Sequence, residues 1–311
     1  MQRLLTTAIL VGLLVATAAA FAVTERLKLT KSPIFGTVVY PKNGFSPTCG
    51  CARGKTTIRI KLRHGDAVTV RILDRRKQLV RDLVDGVPAS RGVNVFRWDG
   101  RTDGNTIAKD GVYKAEIHLA GQHQTILLPN EIVLDTTAPQ IVNVSTNREA
   151  FSPDGDRQAD FVRIRYELSK PAHVNVYLGG TRILRTYRHP SKGSFSWFGR
   201  VNGRTLPPGT YTLQVSAVDV AGNSTPLAER QRIRIRIRYI EIASPRIVVA
   251  AGASFSIGIS TDASHYAWKL GGRHSVASGP VLRLRASTRR GRYTLTVSER
   301  GHVDRATVLV R

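Results

Sequence analysis

The feature that most restricts this chain is that it repeats itself. Phe45-Ser46-Pro47 recurs as Phe151-Ser152-Pro153, and in the same register Ile58-Arg59 falls on Ile164-Arg165. Phe96-Arg97-Trp98-Asp99-Gly100-Arg101 recurs as Phe195-Ser196-Trp197-Phe198-Gly199-Arg200. Both copies continue through a polar turn to a Gly-x-Tyr start, Gly111-Val112-Tyr113 and Gly209-Thr210-Tyr211. One unit is therefore written twice, about 100 residues apart, and must fold the same way twice. A shorter third stretch shares only the end of the pattern. Gly291-Arg292-Tyr293-Thr294-Leu295-Thr296-Val297 parallels Gly209-Thr210-Tyr211-Thr212-Leu213-Gln214-Val215, and this stretch has a tryptophan of its own, Trp268.

The repeated segments have the period of strands. Tyr211, Leu213 and Val215 alternate with Thr212, Gln214 and Ser216, and Val68 to Leu73 and Val174 to Leu178 behave alike. Short runs rich in Gly, Pro, Asn and Asp separate them, and beyond the N-terminal stretch no amphipathic helical window appears. The pattern predicts an all-β chain of tandem immunoglobulin- or fibronectin-III-like sandwiches, with one Trp per unit filling the space between two sheets. The expected division is a leader at 1–22, a linker at 23–37, and sandwiches at 38–137, 138–240 and 241–311. The polar, Pro-ended run Asp135-Thr136-Thr137-Ala138-Pro139 marks the first break. The segment Asp219-Val220-Ala221-Gly222-Asn223 and a strand-like tail from Arg230 to Ile242 close the second unit.

The N-terminus carries Arg3 and then an almost wholly apolar run from Leu4 to Ala22. Ala18-Ala19-Ala20 and Ala20-Phe21-Ala22 offer the small-x-small pattern of a signal-peptide cleavage site. The run also has the length of a membrane anchor, so contact with a membrane would pass through this segment if it stays uncleaved. Either reading sends the chain outside the cell or into the envelope. With 47 Lys and Arg against 22 Asp and Glu, a formal charge of +25, the chain suits polyanionic partners. Its two cysteines, Cys49 and Cys51, exclude a disulfide-dense scaffold, and no spacing suits a zinc site.

The Phe-Ser-Pro opening with its acidic loop, the Phe-x-Trp-x-Gly-Arg segment and the Gly-x-Tyr strand resemble the Ig-like domain of the flagellar hook-capping protein family. The resemblance covers residues 38–240 well and 241–311 weakly. It implies the sandwich fold and, since that domain recurs in secreted bacterial proteins without flagellar roles, no single function. The hook-interacting region of true hook-capping proteins is replaced here by an export signal, which argues against a flagellar role.

Three clusters carry candidate chemistry. Asp154, Asp156 and Asp160 share a Gly-bearing loop, the oxygen-rich arrangement that Ca²⁺ favours; otherwise their carboxylates cap a turn. The matching loop of the first copy holds Cys49 and Cys51 instead. An exported pair suggests a small disulfide ring, and inert thiols, a soft-metal site or a link to another chain are the alternatives. Arg232, Arg234, Arg236 and Arg238 alternate with Ile233, Ile235 and Ile237, placing four guanidinium groups on one strand face within about 20 Å. Such a row follows a polyanion, or it simply solvates the outer side of a strand. Aromatic interleaving of the kind single-stranded nucleic acid needs is missing apart from Tyr239.

No Gly-x-Ser-x-Gly elbow, His-Glu-x-x-His pair or phosphate loop occurs, and the eight histidines are scattered. The expectation is a non-catalytic scaffold or adhesion protein with no cofactor beyond a structural Ca²⁺. Its partners would be anionic cell-wall polymers or polysaccharide and other envelope proteins, rather than nucleic acid. A wall-polymer- or carbohydrate-binding accessory module comes second, a secreted hydrolase third.

Overall fold

The computed structural model describes residues 2–29 and 31–311 and, within the N-terminal helix, the side chains of residues 7 and 9–22. Arg3, Arg26 and Lys28, which bear on the leader reading, lie outside the described side chains. The helix α1 (Gln2–Leu29) leaves Ile9, Leu10, Leu13, Leu14 and Phe21 exposed. No helix among the described residues is long and apolar enough to cross a membrane.

The rest is strand. The first sandwich runs β1 (Ile34–Tyr40), β2 (Thr56–Leu62), β3 (Asp66–Leu73), β4 (Leu79–Ala89), β5 (Gly92–Trp98), β6 (Gly111–Leu119) and β7 (Gln124–Leu134). One sheet has the order β1-β2-β5 and the facing sheet β4-β3-β6-β7. This is the three-against-four arrangement of a fibronectin-III-like sandwich, with alternate residues from each strand meeting in the middle. In β2, Thr56, Ile58, Ile60 and Leu62 are buried, while Arg59 and Lys61 are exposed.

The chain divides into two compact units, Met1–Thr136 and Thr137–Arg311. The second unit holds two further sandwiches with separate hydrophobic cores. The first of these comprises β8 (Ile141–Thr146), β9 (Ala150–Phe151), β10 (Val162–Leu168), β11 (His173–Leu178), β12 (Thr181–Arg185), β13 (Lys192–Trp197), a hairpin of β14 (Arg200–Val201) and β15 (Arg204–Thr205), β16 (Gly209–Val218) and β17 (Gln231–Ile237). Its sheets run β13-β10-β8 and β12-β11-β16-β17-β9. The last sandwich comprises β18 (Ile240–Ile242), β19 (Arg246–Val249), β20 (Ser254–Thr261), β21 (Tyr266–Leu270), β22 (Arg273–Ala277), β23 (Val281–Arg285), β24 (Gly291–Glu299) and β25 (His302–Val310). Its sheets run β18-β20-β23 and β19-β25-β24-β21-β22, so the topology is repeated three times. In the last two sandwiches a short strand joins the sheet edge in parallel, β9 on β17 and β19 on β25. In the first sandwich that contact shrinks to one parallel bridge, Phe45 to Leu134.

The repeated words of the sequence are one corner built twice. Phe45 packs edge-on against Trp98 at 5.5 Å and Phe151 against Trp197 at 5.7 Å. Each indole N–H donates to the carbonyl three residues on, Arg101 at 2.8 Å and Arg200 at 3.2 Å, so the ring is buried without stranding its polar edge. Gly100 (φ +79°) and Gly199 (φ +65°) close the corner in the left-handed region. A Cβ at Gly100 would stand 2.8 Å from the Pro47 Cγ. Gly100→Ala is therefore expected to cost about 1–3 kcal/mol through strain and collision. Gly104→Ala, in an open turn, should stay within about 0.5 kcal/mol. Urea unfolding midpoints of the two variants check the contrast.

The Gly-x-Tyr element serves all three sandwiches. The hydroxyls of Tyr113, Tyr211 and Tyr293 donate to the carbonyls four residues earlier, Lys109, Pro207 and Arg289. Each bond ties the start of a central strand to the loop before it, as a tyrosine corner does.

Trp268 departs from expectation. It is only half-buried, and it lies on β21, the counterpart of β3 and β11, not on the strand that carries Trp98 and Trp197. The counterpart of that strand is β23, followed directly by Ala286 in the core. Between Ala286 and Gly291 there is no room for the Trp-bearing corner, so Tyr266 and Leu270 fill the center instead.

Candidate polyanion face and acidic junction

The arginine-isoleucine strand is β17. Ile235 and Ile237 are buried, Ile233 half-buried, and Arg232, Arg234 and Arg236 exposed. Arg238 lies past the strand end and is half-buried; its amide donates to the Phe151 carbonyl, and its Nε finds no acceptor among the described residues. The row on the strand is thus three arginines long. Arg236 also pairs with Glu241 at 2.5 Å.

Cross-strand register widens this row into a face. Arg232, Arg234 and Arg236 stand beside Gln214, Thr212 and Thr210 of β16. Gln214 stands beside Tyr177 of β11, and Tyr177 beside Arg182 of β12. Arg185 stands opposite Asn175 in the same pair. Directly paired residues project to one side of a sheet, so Arg182, Arg185, Arg232, Arg234 and Arg236 share a surface. Arg230 lies over the Tyr177 ring at 4.7 Å. Arg182, Arg185 and Arg230 escape sequence reading because the register, not local spacing, brings them to β17. A cleft of about 520 Å³ borders the row, lined by Thr146, Glu149, Thr210, Arg234, Arg236 and Arg238.

Asp154, Asp156 and Asp160 present carboxylate oxygens within 4.8 Å of one another. Asp160 is the loop's internal clamp, accepting the Gly155 amide at 2.6 Å and the Arg157 amide at 2.8 Å. Asp154 Oδ1 accepts the Asp156 amide, and Asp156 Oδ1 the Gln158 amide. Asp154 Oδ2 is buried and has no partner among the described residues.

Two residues of the last sandwich complete this neighbourhood. The hydroxyl of the buried Ser152, inside the repeated Phe-Ser-Pro, donates to Asp262 at 2.6 and 2.8 Å. Burial raises the Asp262 carboxyl, with Ser152 pulling it back and Asp156 and Asp154 pushing it further up. Glu299 is 7% exposed. Burial and then the nearby Asp154 carboxylate push it up to about 7. In the first copy the matching serine, Ser46, shares a hydrogen bond with Thr48 instead. There Cys49 and Cys51 are disulfide-bonded, with Cα atoms 5.2 Å apart, and no carboxylate sits in the loop.

The fold and this surface define the class: a tandem Ig-like β-sandwich protein. Residues 47–122 match the model of the FlgD Ig-like domain family. No curated protein matches the chain. Solved structures similar to it include the titin I9–I11 tandem, 10% identical, covering 88% of this chain and 99% of that one at a TM-score of 0.32. A 1.5-MDa bacterial ice-binding adhesin is 11% identical, covering 90% and 99% at a TM-score of 0.28. The Bacteroides ovatus mixed-linkage glucan utilization protein SGBP-B is 15% identical, covering 89% and 71% at 0.23. Likeness this distant says nothing of what the chain binds.

Proposed function

We propose that this protein is a non-catalytic, exported scaffold or adhesion protein of the cell envelope, and that its middle sandwich holds anionic envelope polymers on the β12-β11-β16-β17 face. The observation that supports this reading is the convergence of Arg182 and Arg185 of β12 with Arg232, Arg234 and Arg236 of β17, two stretches far apart in sequence, on one sheet face. Guanidinium forks on a rigid sheet meet carboxylate or phosphate groups bidentately, and a sheet edge fixes their spacing. Isoleucines on the reverse side of β17 anchor the strand, so arginine replacement leaves the core intact.

The test is binding of the full chain to an anionic wall polymer across a salt series. Arg182→Gln/Arg232→Gln/Arg234→Gln should weaken binding by about tenfold and flatten its salt dependence. Arg289→Gln/Arg290→Gln, which removes exposed charge from the last sandwich, should leave it nearly unchanged. Equal losses from both variants would reduce the effect to net charge and end the assignment of a face.

Tyr187, 94% exposed in the loop after β12, favours a second reading in which a neutral sugar ring stacks beside the arginines. Binding of an uncharged glucan that is lost in Tyr187→Ala would support it.

A further inference from the structure

Acidic residues are scarce in residues 241–311, four against eleven Lys and Arg, yet all four gather at the end of the last sandwich that meets the middle one. Glu241 pairs with Arg236, the Asp304 carboxylate accepts the Ile242 amide at 2.7 Å, Asp262 accepts Ser152, and Glu299 faces Asp154. The first is paired across the contact, and the second is hydrogen-bonded inside the last sandwich. The last two add negative charge to a loop that already carries three carboxylates.

The Glu299–Asp154 contact is unsatisfied as it stands. Glu299 Oε2 and Asp154 Oδ2 are both buried and lack hydrogen-bond partners among the described residues. The Glu299 side chain is 4% exposed, and its other oxygen has the Arg300 Nε at 3.4 Å. Two carboxylates brought within hydrogen-bonding reach need a proton or a cation between them. A cleft of about 780 Å³, lined by Asp156, Gln158, His265, Tyr266, Glu299 and Arg300, opens beside them and gives an ion its approach and its waters.

We propose that Asp154, Asp156 and Asp160, whose carboxylate oxygens lie within 4.8 Å of one another, bind one Ca²⁺ between the middle and last sandwiches, with Glu299 as the ligand from the last sandwich and Asp262 adding charge from its tether on Ser152. The donors are all carboxylate oxygens, the hard set that Ca²⁺ takes in preference to softer metals, and water completes the shell. An ion shared by two sandwiches locks their junction, already seated by the Tyr239 ring stacked on His302 at 3.4 Å. This is independent of the arginine face, which lies on other strands and needs no metal.

The test is calorimetric titration of the metal-stripped full chain with Ca²⁺, with Mg²⁺ as the control ion. One Ca²⁺ per chain is expected, at a Kd of about 0.1–1 mM as in extracellular modules, and Mg²⁺ should bind more weakly. Glu299→Gln should raise the Kd about tenfold or more, because it removes one anionic ligand. Hydrogen exchange of the unaltered chain gives a readout that needs no variant: Ca²⁺ should slow exchange at residues 152–160 and also at 261–266 and 298–303. No Ca²⁺ binding up to several Kd of that range would overturn the site and leave a shared proton between Glu299 and Asp154. Binding that spares Glu299→Gln, or protection confined to 152–160, would overturn the bridge.

Discussion

Replacing Trp98 with alanine is expected to destabilise the first sandwich by about 3–5 kcal/mol, a large part of what a domain of this size has. Trp98 is 1% exposed and touches Phe45 and Tyr113 edge-on at 5.5 and 5.0 Å, so its removal empties the corner where both sheets and the Phe-Ser-Pro segment converge. The indole bond to the Arg101 carbonyl is lost with it. Trp268→Ala should cost about 1–2 kcal/mol, since its ring is half in solvent and covers a core instead of filling one. Hydrogen exchange read by mass spectrometry separates the sandwiches: Trp98→Ala should lose protection in 56–62 and 92–98 while 162–168 is unchanged. Unaltered protection in those two strands would contradict the corner's role. Because several domains unfold in one chain, exchange is a better probe here than a single melting temperature.

Asp219→Ala should be comparably severe for the middle sandwich, about 3–5 kcal/mol. The Asp219 side chain is fully buried and accepts the Gly222 amide at 2.8 Å, the Asn223 amide at 2.9 Å, the Asn223 side-chain amide at 3.0 Å and the Lys170 ammonium at 2.8 Å. Removing it takes the side-chain acceptor away from these donors in the turn after β16 and leaves the partly covered Lys170 without that carboxylate. Asp219→Asn keeps an oxygen for the backbone amides but turns an NH₂ toward a cation, so an intermediate loss is expected. Urea midpoints of both variants, with exchange at 217–225, decide the ranking. A loss below about 1 kcal/mol in Asp219→Ala would mean that water replaces the carboxylate.

Legibility followed sequence distance. The Phe-Ser-Pro, Trp-x-Gly and Gly-x-Tyr segments announce the sandwiches because each is a short stretch whose neighbours are fixed by strand period. The segment Asp219-Val220-Ala221-Gly222-Asn223 reads as a junction, and its carboxylate proves to organise the turn from within. The same local logic misleads at Trp268: one indole per unit suggested three equivalent cores, whereas the last sandwich has lost the corner that holds it. The acidic loop is visible as Asp154, Asp156 and Asp160, yet Asp160 also clamps the loop's backbone, and Glu299 and Asp262, more than 100 residues on, face the other two. The one available signal was the scarcity of acids in 241–311, where each carboxylate stands out against its basic surroundings.

Sequence alone determined that this chain is a string of β-sandwiches, because alternation of period two and recurrent turn residues are local demands that every strand must meet. Only the tertiary structure decided which charges share a surface: pairing register sets Arg182 and Arg185 beside β17, and the meeting of two sandwiches sets Glu299 against Asp154. Electrostatic sites depend on distances through space, and a folded chain sets those by packing rather than by spacing along the backbone.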